Sequence, residues 1–194
     1  DIYGCFLAHA RGAKTIAFGT HITPIPVETM RPYPSLDFAL VGEPDLTIRD
    51  LLDHLEGKIG ERSPQITQMF TKHDATYRPS LNGDGTVNMH GIKGIAWRKG
   101  EEILLNFPRS FVADLDDMPI PMHELLPLQS YRMPLIKGPF TFIVTSRGCP
   151  AGCTYCIKHV SYQYATRLRS HKLIMEELWY LKKLGINNIH MYAD

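Results

Sequence analysis

T-S-R-G-C-P-A-G-C-T-Y-C-I-K, residues Thr145 to Lys158, places three of the chain's four cysteines, Cys149, Cys153 and Cys156, within eight positions. The spacing is C-x3-C-x2-C, and the apolar run Phe140 to Ser146 (F-T-F-I-V-T-S) leads into it as a buried strand. Gly148 and Gly152 give the loop tight backbone angles and let amide groups approach the sulfurs, while Pro150 stiffens the turn. A cubane iron–sulfur cluster is usually held by four Cys. Three thiolates leave one iron open to a small molecule. The alternative is a structural zinc site of Cys149, Cys153, Cys156 and His159. Zinc ligands normally come as two separated pairs, which this loop does not offer.

The segments on either side of the loop set its frame. Ser170 is placed to cap a helix reaching Leu184, with Ile174, Leu178 and Leu181 on one face and Gly185 just past the end. Ile186 to Ala193 reads as the next strand. Strand, loop, helix and strand together have the size of a right-handed βαβ crossover.

Upstream, Ile2 to Ala10 reads as a helix stopped by Gly12. Lys14 to Phe18 and Leu36 to Val41 read as buried strands, ended by Gly19-Thr20-His21 and by Gly42-Glu43-Pro44. A short helical turn is expected near Val27 to Met30. Leu46 to Glu56 carries Leu46, Leu51, Leu52 and Leu55 at helical spacing, with Gly57 as its cap. This αβαβα order predicts an α/β fold with a parallel sheet covered by helices. Gly60 to Met89 is polar and turn-rich and reads as a linker, with a turn at Asn82-Gly83-Asp84-Gly85. Gly94 to Arg98 and Ile103 to Asn106 flank a hairpin turn. Phe107 to Pro134 holds five prolines, and its segment Asp114 to Pro121 reads as an extended strap. The expected division is residues 1–59, a linker with hairpin over 60–135, and 136–194.

Composition narrows the class. The 194 residues are 44% hydrophobic and 21% charged, so a core can be buried. A formal net charge of +1 gives no electrostatic case for nucleic acid or a membrane surface. No apolar run is long enough to span a bilayer. The N-terminus lacks a signal-peptide layout, and clustered cysteines point to metal in a reducing, cytoplasmic setting rather than to disulfides. Cys5 reads as a small buried apolar residue. The helix-like start and the uncovered final strand read as a piece of a longer protein.

The cysteine motif, with Tyr155 just before its third Cys and a βαβ unit around it, resembles the signature of the radical S-adenosylmethionine superfamily. The resemblance implies a partial, TIM-like (β/α) barrel. It also implies a [4Fe-4S] cluster on Cys149, Cys153 and Cys156, with S-adenosylmethionine on the open iron. Reductive cleavage of that cofactor would give a 5′-deoxyadenosyl radical, with the electron supplied by a donor such as flavodoxin or ferredoxin. Tyr155 would lie against adenine. Asp194, in Tyr192-Ala193-Asp194, would meet the methionine amino group, although the family's usual form there is Gly-Gly-Glu.

The upstream order resembles the cobalamin-binding members of that superfamily. Residues 1–59 would then be the C-terminal part of a flavodoxin-like, Rossmann-like cobalamin domain. In such a sheet, ligands bind beyond the carboxyl ends of the strands. Gly19, Thr20, His21, Gly42 and Glu43 are therefore the expected cofactor-binding residues. Glu43 is weighed as a hydrogen-bond acceptor rather than an acid, and His21 as a packing or capping residue rather than a cobalt ligand.

The runs G-T-H-I-T-P, S-R-G-C-P-A-G-C-T-Y-C-I-K-H-V-S-Y-Q and L-G-I-N-N-I-H-M-Y-A-D resemble the anaerobic magnesium-protoporphyrin IX monomethyl ester cyclases of bacteriochlorophyll biosynthesis. That resemblance implies an oxidoreductase closing a ring on a tetrapyrrole. Lys158, His159, Tyr162, Tyr164, Arg167 and Arg169 would face its carboxylates; the alternative is a solvated loop whose arginines bind nearby carboxylates. A second expectation is a cobalamin-dependent radical C-methyltransferase. A third, from another class, is a non-catalytic zinc-binding module. One departure from the cyclases is His171-Lys172 where they commonly carry Pro-Glu, which removes the acid that suits a helix start.

Overall fold

The computed structural model describes residues 2–57, 82, 88–157 and 165–193. The expected linker over Gly60 to Met89 lies almost wholly outside these residues, as do Gly83, Asp84 and Gly85 of its turn.

Helix α1 (Ile2–His9) leads through Gly12 at φ 81° to strand β1 (Ile16–Ala17), then to α2 (Pro26–Met30) and β2 (Phe38–Leu40). Pro26 starts α2, a position where its missing N–H costs nothing. Helix α3 (Asp45–Leu55) follows Pro44 and stops at Gly57, φ 62°. Strand β1 is shorter than expected; the apolar run around it continues as extended chain.

The sheet departs from the purely parallel expectation. Strands β1 and β2 are parallel, but β3 (Ile95–Lys99) pairs antiparallel to β2, and β4 (Glu102–Leu105) closes a hairpin on β3. The order is β1-β2-β3-β4. The hairpin expected within the linker therefore extends the first sheet. The reason lies in β3, whose Ile95, Ala96 and Trp97 are all buried, as a strand covered on both faces requires. Phe38 and Leu40 pack with Leu51, Ile95 and Trp97 on one face; Ala39 and Ala96 meet Ile22, Met30 and Leu36 on the other. Gly94 is needed at the junction: its φ is 73°, and a Cβ there would lie 3.1 Å from the Val41 carbonyl oxygen. Asn106 fixes the far side of the hairpin by donating to the Met89 and Ile92 carbonyls at 2.7 and 2.8 Å.

Strand β5 (Phe140–Arg147) is parallel to β7 (Asn188–Ala193), with α4 (His171–Lys183) between them. This is the expected βαβ unit. A two-residue strand, β6 (Arg167–Leu168), pairs antiparallel to the end of β5, giving the order β6-β5-β7. Ile143, Leu181, Ile186 and Leu128 form the core beneath α4. The expected cap is present, with the Leu173 N–H donating to Ser170 Oγ at 3.2 Å.

The strap over 107–134 is irregular apart from three short 3-10 turns, Leu115–Asp117, His123–Leu125 and Leu128–Ser130. It is anchored all the same. His123 is buried and its Nε2 lies 2.8 Å from Glu177 Oε1 on α4. The Ser170 N–H donates to Asp116 Oδ1 at 2.7 Å, so the strap supplies an acid at the start of a helix whose own first turn has none. No helix among the described residues is long and apolar enough to cross a membrane.

Candidate functional site

Three loops meet the carboxyl ends of the strands. Gly19, with φ 115°, follows β1; Thr20 and His21 come next and are exposed. Gly42, with φ 76°, follows β2. Thr23, absent from the expected residues, joins these two loops. Its hydroxyl donates to the Gly19 carbonyl at 3.0 Å and accepts from the Gly42 N–H at 3.1 Å. A threonine in a Pro-containing loop carries no signal for that role, since the bond forms only once both strands are paired.

The cysteine loop leaves β5 through Gly148, at φ 89°. Gly152 stays out of the left-handed region, so only the first of the two expected glycine turns is built that way. Cys149, Cys153 and Cys156 are all free thiols, two half-buried and Cys153 exposed, and the Cys156 N–H closes a turn on the Cys153 carbonyl at 3.1 Å. Among the described residues no three His, Cys, Asp or Glu side chains gather round the position of one ion. The donor set, three unpaired thiols on one open loop, fits the cluster chemically. Tyr155 is 91% exposed, its ring free of packing against the described fold. Asp194, Lys158, His159, Tyr162 and Tyr164 lie outside the described residues. Cys5 sits on α1, half-buried rather than buried as expected.

Glu43 and Arg167 turn out differently from a cofactor-facing or substrate-facing pair. Glu43 is buried, and its carboxylate is occupied by protein donors. Arg167 Nη2 and Nη1 donate to its two oxygens at 2.6 and 3.1 Å, and the Val112 N–H donates to Oε2 at 3.0 Å. The Arg167 guanidinium also lies 5.4 Å from the Phe111 ring centroid. Arg169 likewise turns inward, 2.6 Å from Glu177 Oε2 and bonded to the Val144 carbonyl at 2.8 Å. Both arginines thus follow the alternative in which they bind the protein's own carboxylates. Arg147, just ahead of the cysteines, donates to both oxygens of Asp45 at 2.8 and 3.2 Å. The end of β2 and the base of the cysteine loop are in this way joined by ion pairs, buried at Glu43–Arg167 and partly exposed at Arg147–Asp45.

The fold recurs in solved structures. The cobalamin-dependent S-adenosylmethionine radical enzyme OxsB, with aqua-cobalamin and S-adenosylmethionine bound, superposes over 99% of this chain and 23% of its own, with a TM-score of 0.61 and 17% identity. The chain has the fold of that enzyme class. The radical S-adenosylmethionine methyltransferase TsrM of Kitasatospora setae, with cobalamin and a [4Fe-4S] cluster bound, matches over 94% of this chain and 31% of its own, with a TM-score of 0.55 and 13% identity. An uncharacterised methyltransferase of Pyrococcus horikoshii is 29% identical over 180 residues, 91% of this chain. The chain spans 32% of that relative's length. No family model matches. The relatives named here carry methyltransferase or radical-enzyme names, which supports the methyltransferase expectation over the ring-closing one; nothing in them supports a magnesium-porphyrin substrate.

Proposed function

We propose that this chain is the part of a cobalamin-dependent radical S-adenosylmethionine methyltransferase that joins its two cofactor sites. The observation that carries the reading is the joining of Glu43 and Asp45, just after β2, to Arg147 and Arg167 at the base of the cysteine loop, in a fold shared with enzymes that hold cobalamin and S-adenosylmethionine. Cys149, Cys153 and Cys156 would hold the [4Fe-4S] cluster, and the Gly19 and Gly42 loops would lie against cobalamin, where the lack of side chains permits close approach. When bound, these groups supply one-electron cleavage of S-adenosylmethionine and methyl carriage. The residues of this chain fix the thiols on one loop, open the strand ends to a bulky ligand and set the two sites side by side. A low-potential electron donor protein is the expected partner, and the acceptor is a small molecule.

The test uses the full-length protein, purified anaerobically and reconstituted with iron, sulfide and hydroxocobalamin. The expected result is an iron–sulfur absorption band, retained cobalamin, and formation of 5′-deoxyadenosine and S-adenosylhomocysteine from S-adenosylmethionine. A colourless protein with tightly held zinc and no retained cobalamin would sink the reading. Deoxyadenosine without cobalamin-dependent S-adenosylhomocysteine would instead favour radical chemistry without methyl transfer.

A further inference from the structure

Arg147 and Arg167 are the two feet of the cysteine loop. Arg147 is the last residue of β5, two positions before Cys149, and Arg167 opens β6. The two are direct partners in the antiparallel register. Like charges set opposite one another across a strand pair repel. The arrangement holds because both guanidinium groups turn to acids at the junction of β2 and α3. Glu43 takes the fork of Arg167 and lies 3.5 Å from Arg147 Nη1, while Asp45 takes the fork of Arg147. The side chains of Glu43 and Arg167 are 4% and 9% exposed, so water does not screen the pair. Arg167 Nη1 also donates to the Val112 carbonyl at 2.5 Å, and the Val112 N–H donates to Glu43, so the strap closes the same ring of contacts.

We infer that Glu43, Asp45, Arg147 and Arg167 form a positioning clamp that fixes the base of the cysteine loop against the ligand end of the first sheet. None of the four is a catalytic residue; they act through the loops they join. Glu43 has a particular part, because it neutralises both feet at once. Without its charge both arginines lose the one acid they share. The clamp rests on contacts within the protein, whereas its consequence for two cofactors rests on the function proposed above.

Two measurements separate these levels. In full-length protein without cofactors, hydrogen exchange of Glu43→Gln is followed by mass spectrometry. Amides of residues 144–157 and 165–169 should exchange faster by about tenfold or more, as expected when a buried charge loses its partner, while β3 and α4 stay as in the wild type. Glu43→Gln/Arg147→Gln, which removes one of the two facing charges, should restore at least part of that protection. Unchanged exchange at the loop feet in Glu43→Gln, or exchange raised equally everywhere, would overturn the clamp, and so would a double variant worse than the sum of its parts. If Glu43→Gln does not fold, Arg167→Lys, which keeps the charge and loses the fork, is read in the same way.

In protein loaded with hydroxocobalamin and reconstituted with iron and sulfide, the microwave-power saturation of the cobalt(II) signal reports whether the reduced cluster is near. Relaxation should slow in Glu43→Gln at equal cobalamin and iron content. Equal relaxation in variant and wild type would refute the positioning role. A wild type that retains no cobalamin would refute the proposed function alone, and the exchange experiment would still decide the clamp.

Discussion

Thr15 and Asp37 lock together the starts of β1 and β2. The Thr15 N–H and hydroxyl donate to Asp37 Oδ2 at 2.9 and 3.0 Å, and the Asp37 N–H donates back to the Thr15 hydroxyl at 3.0 Å. Burial alone would raise the Asp37 pKa; the Thr15 amide, then His9, Lys14 and the Thr15 hydroxyl, outweigh it and hold the carboxyl below its ordinary value. A carboxyl whose pKa is lower folded than unfolded stabilises the fold above the unfolded value of about 3.9, and loses that contribution as pH falls through the folded value. Asp37→Asn should therefore unfold at lower denaturant concentration than the wild type at pH 7, by about 2 kcal/mol for the charged hydrogen bonds lost. The gap should close as pH falls below the unfolded carboxyl value and through the lower folded one. A gap independent of pH would show that the carboxylate's charge is immaterial.

The Glu43–Arg167 pair predicts a large single-residue effect on stability. Arg167→Ala removes the forked partner of a buried carboxylate 124 residues away in sequence and leaves it only Arg147 Nη1 at 3.5 Å and the Val112 N–H. Its cost should be about 3 kcal/mol, the low end for a buried pair that loses one member, measured by chemical denaturation. Arg167→Met, similar in length, also lacks the fork and should be no better. Arg167→Met combined with Glu43→Leu removes both charges and should recover much of the loss.

Removal of the cysteines should separate the cluster from the fold. The three thiols are half-buried or exposed and take no part in the core clusters. Cys149→Ala, Cys153→Ala and Cys156→Ala should each keep the wild-type far-ultraviolet circular dichroism and the cobalamin content of the full-length protein. Each should lose the iron–sulfur absorption band and deoxyadenosine formation. Loss of folded structure instead would assign these cysteines to stability.

The start of α4 predicts a smaller effect from two sides. Ser170→Ala removes the side-chain cap and should cost about 1 kcal/mol. Asp116 lies over the same turn. Its slight burial would raise its pKa, but hydrogen bonds from the Ser170 side chain and amide, followed by the charges of Arg169 and His171, lower it. Asp116→Asn should weaken the helix start above the unfolded carboxyl pKa, with a loss that disappears in acid. The two losses should be non-additive, because both residues serve one helix end.

Local signals in the chain were enough to find most of the elements. Gly57 and Gly185 mark helix ends, Ser170 marks a helix start, and the apolar runs at Phe38 and Phe140 mark strands; each acts within one turn or one strand of itself. The place of the hairpin was not legible. Ile95 to Trp97 announces a buried strand but not its neighbour, and pairing with β2 is decided by packing between distant segments. The cysteine loop was legible because ligand spacing is itself local. Arg147, Asp45 and Thr23 were not, nor was the partner of Arg167, since an arginine's partner is set by topology. His123 meets Glu177 across 54 residues for the same reason.

Strand β7 lies at the edge of its sheet, and His190, Met191, Tyr192 and Ala193 stand exposed. One side of its backbone ladder is paired to β5; the other presents amides and carbonyls without a partner strand among the described residues. Such an edge is a template for a further strand, whichever chain supplies it. Copies set edge to edge along β7 would satisfy those groups, so self-association of this stretch should rise with its concentration. A single lysine in place of the exposed Met191 would set a charge beside that edge and should oppose it.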